Sequence, residues 1–382
     1  MILLDPHGAA LVVNGRLEDL VLDPRAEDTT PAPGAVHLAR VDRLVPKGGA
    51  AFVQLGDERM GYLREAKGLA EGHRLIVQVT SFAEPGKASP VTARVLHKSR
   101  TVIHSPHAPG INVSRQIKEP EERARLGAAA EAALPSVSDQ PDPGGFILRT
   151  AARDVASAEI TEMAAHLLRQ RRAILDESKA GRIGRMAAMP PPRAMTLALA
   201  EWTNPLPDQI LMEGAIWDGL FHGNGAAEAV AELAFSQVLA NRCVDAGRAL
   251  PFALQDVWDE VDHLRGPRAD LRSGGWLSVE ATAALVAIDV NTGGQFGGGD
   301  ALTANLEAAR EIPRQLRLRG LGGIVTIDWA PLPKRDRRRV EDALKTALRF
   351  DPVETTLAGW TPLGLLELTR KRERRPLAEM FG

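Results

Sequence analysis

Two aspartates, Asp289 and Asp328, each stand at or near the end of a short apolar run, Leu285-Val-Ala-Ile-Asp289-Val-Asn291 and Ile324-Val-Thr-Ile-Asp328. Runs of this length, rich in β-branched residues, read as strands. Two carboxylates brought to one sheet edge would form a hard-oxygen site. Such a site suits Mg²⁺, which takes one or two carboxylates and keeps several waters. Taken singly, either aspartate is also explained as a helix N-cap or as a turn residue after a strand.

The stretch between the two runs decides whether the aspartates meet. Over residues 302–319 the apolar positions Leu302, Leu306, Ala309, Ile312 and Leu316 recur at three- and four-residue steps, which predicts one amphipathic helix. Gly320 supplies the left-handed cap, and Arg314, Arg317 and Arg319 stand where cations favour the negative end of the helix. Pro313 lies inside the pattern and predicts a bend. A strand, a crossover helix and a second strand normally give parallel neighbours. Both aspartates would then finish at the carboxyl edge of one sheet, where open α/β sheets bind ligands.

At 382 residues the chain is long enough for two or three domains, and its formal charge of −2 does not mark a nucleic-acid binder by bulk electrostatics. Local basic runs exist at Lys334-Arg-Asp-Arg-Arg-Arg339 and Arg370-Lys-Arg-Glu-Arg-Arg375, each readable as a binding patch or as a solvated helical face. A single cysteine, Cys243, excludes a disulfide framework and a cysteine zinc site within one chain, and points to a reducing compartment. With no basic leader ahead of a long apolar core and no apolar run of membrane-spanning length, the expected location is the cytoplasm. The nine histidines show no metal-binding spacing, and no P-loop or repeat is present.

Upstream, Ile2-Leu-Leu and Ala10-Leu-Val-Val13 flank Asp5-Pro-His-Gly8 and predict a hairpin, followed by a Pro- and Asp-rich connector to residue 34. Five short strands then follow, at 36–41, 51–55, 61–63, 75–79 and 91–95, which predict a small OB-type barrel. Phe52 and Tyr62 are its candidates for stacking on bases of single-stranded nucleic acid, with burial in the barrel core as the alternative for Phe52. A β-like run at 145–150 ends in Leu148-Arg149-Thr150, whose guanidinium and hydroxyl suit a phosphate. Next comes a helical pattern from 157 to about 175, with Ile160, Met163, Leu167 and Leu168 on one face. Met189-Pro-Pro-Pro192 breaks the chain, and Phe221-His-Gly-Asn-Gly225 reads as a turn before a helix over 226–239.

Taken together, Ala287-Ile-Asp-Val-Asn-Thr292, the run from Asn305 to Arg319, Leu321-Gly-Gly-Ile-Val-Thr-Ile-Asp328 and Leu363-Gly-Leu-Leu-Glu-Leu-Thr-Arg-Lys-Arg372 closely resemble the catalytic region of the ribonuclease E/G family. Ala50-Ala-Phe-Val53, Gly61-Tyr-Leu63 and Leu148-Arg-Thr150 extend the resemblance upstream in the family's order. The resemblance implies an α/β multidomain fold. An RNase H-like subdomain (1–34 and 196–263) would carry an inserted S1 barrel (35–98), followed by a 5′-sensor-like region (99–195) and a DNase I-like catalytic subdomain (264–382). It implies that Asp289 and Asp328 hold Mg²⁺ and that Asn291 hydrogen-bonds within the site. Arg149 and Thr150 would contact a 5′-monophosphate. Phe52 and Tyr62, the latter where the family commonly has phenylalanine, would stack on a base. No CxxC pair stands in the sequence, so a homo-oligomer would form without the family's shared zinc link.

The expected function is Mg²⁺-dependent cleavage of single-stranded RNA, in ribosomal or messenger RNA processing or decay, leaving 5′-phosphate and 3′-hydroxyl ends. The alternative is a catalytically weak or inactive RNA-binding or ribosome-associated protein on the same scaffold. A generic phosphatase or nucleotide hydrolase ranks last, because no nucleotide fingerprint is complete.

Overall fold

A computed structural model of the chain describes residues 1–382 except 26, 47, 57–58, 135–143, 154, 181–187, 223–236, 295–297 and 382. The turn and helix expected over 221–239 fall mostly outside the described residues. Of them, a short helix at Gln237–Ala240 is seen.

The N-terminal hairpin forms as expected, from Ile2–Asp5 and Gly8–Val13. Arg16–Leu22 extends it on one side, and Ile210–Met212 and Cys243–Asp245 join in parallel on the other. Alternation explains how one short strand serves two cores. Ile2 and Leu4 enter one apolar cluster and Leu3, pointing the other way, enters a second. Cys243 sits on the outer strand, where burial pushes its thiol up to about 12.

Residues 36–92 close into a five-stranded barrel of Val36–Leu44, Ala51–Gly56, Arg59–Leu63, Ser89–Thr92 and Arg74–Val79. The last strand in sequence falls a little earlier than the apolar run at 91–95 suggested, because pairing with Gly61–Leu63 and Gln78–Val79 sets its register. Beyond the barrel, His97–Lys98, Val102–Ser105, Gly110–Val113 and Gly145–Leu148 make a four-stranded sheet. It packs on the helices Pro120–Glu131 and Ser157–Lys179, and the expected face of Ile160, Met163, Leu167 and Leu168 is buried there.

The C-terminal sheet has six strands, in the order Arg268–Asp270, Trp276–Ala281, Val286–Asn291, Gly323–Asp328, Leu366–Arg370 and Thr355–Trp360. Its one parallel pair, among the described strands, is the pair that carries the two aspartates. The crossover helix spans Gly298–Leu318 and continues through Pro313. It ends in a Schellman cap. The Leu321 amide donates to Leu316 O at 2.8 Å and Gly320 takes φ of 66°, a left-handed conformation that glycine adopts without a Cβ clash.

The three arginines of this helix do not sit on a solvated terminus. Arg314 and Arg319 have side chains only 6% exposed or residue surfaces that are equally small. Arg314 donates to Leu17 O at 2.7 Å and pairs with Glu311 at 2.8 Å, and Arg317 donates to Glu18 O at 3.2 Å. These bonds clamp the helix to the edge strand of the N-terminal sheet, so the helix is a layer shared by two sheets.

The second basic run is likewise not a surface patch. Arg370 pairs with Asp351 at 2.8 Å with both side chains 1% exposed, and Arg374 binds Asp19 of the N-terminal sheet. Arg375 binds Asp28 of the connector, and the Arg372 carbonyl accepts from the barrel's Phe82 amide at 2.8 Å. Arg370, Arg374 and Arg375 of this cationic string become internal because each of their guanidinium groups meets a carboxylate from another part of the fold. The first run, on the helix Lys334–Phe350, does keep an exposed face, with the Arg338 side chain 90% exposed.

Candidate active site

The site is built from the end of the parallel pair. Val286, Ile288 and Val290 point into the helix-covered core together with Val325 and Ile327. The alternate positions Asp289 and Asp328 therefore lie on the opposite, exposed face. They are direct register partners, Asp289 against Asp328. Adjacent strands run about 4.8 Å apart, so the two carboxylates can share one cation.

Asn291 lies two residues further along the same face, and its Nδ2 donates to Asp289 Oδ2 at 2.8 Å. That bond orients one carboxylate and, among the described residues, leaves its other oxygen free. The Asp328 side chain makes no hydrogen bond or ion pair among the described residues. The helix N-cap explanation fails for both aspartates, since neither side chain caps a helix and the helix at 334 is preceded by Pro333.

What holds Asp328 in place was not singled out in the sequence. Asn305, fully buried on the crossover helix, makes a two-way bond with residue 330. Its Nδ2 donates to Ala330 O at 3.0 Å and its Oδ1 accepts from Ala330 N at 3.0 Å. The amide thus replaces a strand partner for the backbone just past Asp328. A polar residue in the otherwise apolar stripe of the helix was the available signal. At the other end of the edge, the loops at Gly275 and Gly293 pack backbone against backbone. A Cβ on Gly275 would lie 2.4 Å from Asn291 O and one on Gly293 would lie 2.1 Å from Gly274 O.

The donor set fits a divalent cation of the hard class: two exposed carboxylates, with room for water to complete the shell. Among the described residues no cluster of three or more His, Cys, Asp or Glu is present, so a site here rests on the aspartate pair.

Phe52 and Tyr62 are brought together on the outer face of the barrel. They are cross-strand partners with ring centroids 5.4 Å apart, and the Arg43 guanidinium lies 4.5 Å from the Phe52 centroid. The neighbours Ala51, Val53 and Leu55 fill the barrel core, so Phe52 is half-buried on the surface and not a core residue.

Arg149 and Thr150 follow the strand Gly145–Leu148 at the start of a single 3-10 turn. Arg149 is already engaged, donating to Ser99 O at 3.0 Å and Ala200 O at 3.3 Å and pairing with Glu201 at 2.8 Å. The Thr150 hydroxyl bonds Ser114 Oγ at 2.9 Å.

Fold and edge together define a mixed α/β protein of several sheets in which a closed barrel accompanies a sheet with an acidic end. A model of the Ribonuclease E/G family matches residues 98–373. Ribonuclease G of Escherichia coli (strain K12) is 30% identical over 382 residues, an alignment spanning 91% of this chain and 74% of that protein. Ribonuclease G of Haemophilus influenzae is 29% identical over 97% of this chain and 78% of that protein. Ribonuclease E of Synechocystis is 28% identical over the whole of this chain and 58% of its own length. The chain belongs to the ribonuclease E/G family and is an enzyme of that type.

Proposed function

We propose that this chain is an endoribonuclease that cuts single-stranded RNA with Mg²⁺ at the Asp289–Asp328 edge, leaving 5′-phosphate and 3′-hydroxyl ends. The observation that carries the reading is the parallel register of these two exposed aspartates in a chain of this family. Asp289 and Asp328 would hold the ion. When bound, Mg²⁺ supplies Lewis-acid activation of water and neutralises charge on the phosphate. Asn291 fixes the Asp289 carboxylate, and Asn305 fixes the strand end behind Asp328.

The barrel's Phe52–Tyr62 pair would stack on an unpaired base, with Arg43 beside it for the backbone. Arg149 and Thr150 would receive a 5′-monophosphate, which must displace Glu201 from the guanidinium. We assign the first sheet, whose order places three antiparallel strands beside two parallel ones, to an RNase H-like subdomain and the six-stranded sheet to a DNase I-like one. Among the described residues no helix is long and apolar enough to cross a membrane, and the reading places the enzyme in the cytoplasm.

The test is cleavage of a 5′-monophosphorylated, A/U-rich single-stranded RNA with Mg²⁺, with EDTA, and with Asp289→Ala. Internal cuts that need both the metal and Asp289 establish the reading. RNA binding without any cut by the folded wild type replaces it with a non-catalytic RNA-binding protein.

A further inference from the structure

The exposed face of the six-stranded sheet carries an aromatic residue immediately beside the acidic edge. Trp276 is the register partner of Asn291, and Ser278, next but one along the same strand, is the partner of Asp289. Cross-strand partners share a face, so the indole, Asn291, Asp289 and Asp328 all stand on the side away from the helices. Leu277 and Val279, which alternate with Trp276 and Ser278, enter the core instead. Trp276 and Asp289 are diagonal neighbours, about 7–8 Å apart on the lattice of a sheet.

The indole meets the Arg268 guanidinium across one face of its ring. It lies outside the apolar cluster of its own sheet, and its N–H makes no hydrogen bond among the described residues. The Arg268 guanidinium lies 4.4 Å from the ring centroid and is held there by Asp270 at 2.7 Å, while the Arg268 side chain remains 59% exposed. A second Arg-over-Trp pair on the same sheet shows the contrast. Arg337 covers Trp360, but the Trp360 N–H donates to Glu341 of the helix Lys334–Phe350 at 2.9 Å, which ties that ring into the helix-covered side. One ring is tied to a helix through its N–H, and the other stands at the end of the acidic edge with the Arg268 guanidinium over one of its faces.

We infer that Trp276, with the exposed Arg268 side chain over one face of its ring, is a stacking platform for a nucleobase of the RNA next to the phosphate held at Asp289 and Asp328, the base taking the free face or the place of the guanidinium. This rests on the ribonuclease reading. Stacking on an aromatic ring tolerates every base because each has a π-face, and a guanidinium beside the ring suits the neighbouring phosphate. Phe52 and Tyr62 form a base platform on the barrel, and Trp276 adds one on the catalytic sheet itself. The strand is then gripped on the sheet that holds its scissile phosphate as well as on the barrel.

The experiment walks a single abasic nucleotide across the cut site of a single-stranded RNA and measures kcat/KM for wild type, Trp276→Ala and Trp276→Phe. In the wild type one abasic position beside the cut lowers kcat/KM about tenfold. Trp276→Ala removes the extra penalty at that position, and Trp276→Phe, which keeps a ring, retains most of it. An abasic penalty that is unchanged in Trp276→Ala overturns the inference while cleavage by the wild type leaves the ribonuclease reading intact. Affinity for the same RNA series, measured on Asp328→Ala, reads the platform without turnover. If that protein binds every abasic RNA as tightly as the intact one, the platform is absent. If the wild type neither cuts nor binds RNA, the ribonuclease reading fails first and the platform with it.

Discussion

The sheet edge and the turn at Arg149 both hold residues suited to phosphate chemistry, yet they differ in how far those residues are already engaged. At the edge, Asp289 is oriented by one neutral amide and the Asp328 side chain has no partner among the described residues. At the turn, the Arg149 fork is closed by two carbonyls and by Glu201. Two unneutralised carboxylates side by side repel each other and favour a cation that takes both. A guanidinium paired with a carboxylate must lose that pair before an anion gains it. The edge is therefore poised to bind, and the turn binds only in competition.

The largest effect should come from the edge. Asp328→Ala is expected to lower cleavage by about two to three orders of magnitude, the scale for losing one group that stabilises transition-state charge, with RNA affinity retained. Cleavage at the wild-type rate would end the claim that the edge is the reacting centre. Asn305→Ala tests the support behind Asp328. Leaving the backbone amide and carbonyl of Ala330 unpaired should cost about 2 kcal/mol or more in a denaturant titration, with a loss of activity alongside, whereas an unchanged midpoint would show that the two-way bond is replaceable. On the barrel, Phe52→Ala should weaken RNA binding by about 1–3 kcal/mol in a fluorescence anisotropy titration.

A pH dependence separates the two regions further. Burial, with His104 and Arg171 nearby, lowers the His97 pKa to about 3, and His97 lies in the sheet that precedes Arg149. Below pH 6.5 the unfolded chain takes up a proton that the folded imidazole refuses. Stability from this group is full above 6.5 and falls by at most about 1.4 kcal/mol per unit as pH drops toward 3. The six-stranded sheet contains no histidine. Hydrogen exchange at pH 7 and pH 5 should show residues 97–113 loosening while residues 286–291 hold. Equal protection at both values would remove the distinction. The smallest effect should be Glu201→Gln, which removes the competing charge from Arg149. A preference for 5′-monophosphorylated over 5′-hydroxyl RNA should rise a few-fold, and an unchanged preference would mean that Glu201 does not compete.

The edge was legible because its signals are local. The alternation around Asp289 and Asp328, the helical period between them and the glycine after it are all read from neighbouring residues, and together they require a parallel pair. The barrel was legible for the same reason, through strand length and turn residues. Charge was read poorly. Arg314, Arg317 and Arg319 looked like helix-end cations and Arg370 to Arg375 like a patch or a wet face, because a guanidinium's partner is chosen by long-range packing that no local period encodes. Asn305 and Glu201 were missed on the same grounds. Each matters through a residue far away in the chain, Ala330 in one case and Arg149 in the other.

The sequence by itself determined the N-terminal hairpin, the barrel strands, the helix from residue 157 and the strand–helix–strand unit that brings the two aspartates to one edge, since hydrophobic period and turn chemistry act over a few residues. Only the tertiary structure decided which cations became internal clamps, which aromatic rings stayed at the surface, and that Trp276 stands beside Asn291. Those outcomes depend on strand register and on desolvation by distant segments, which are properties of the assembled sheets.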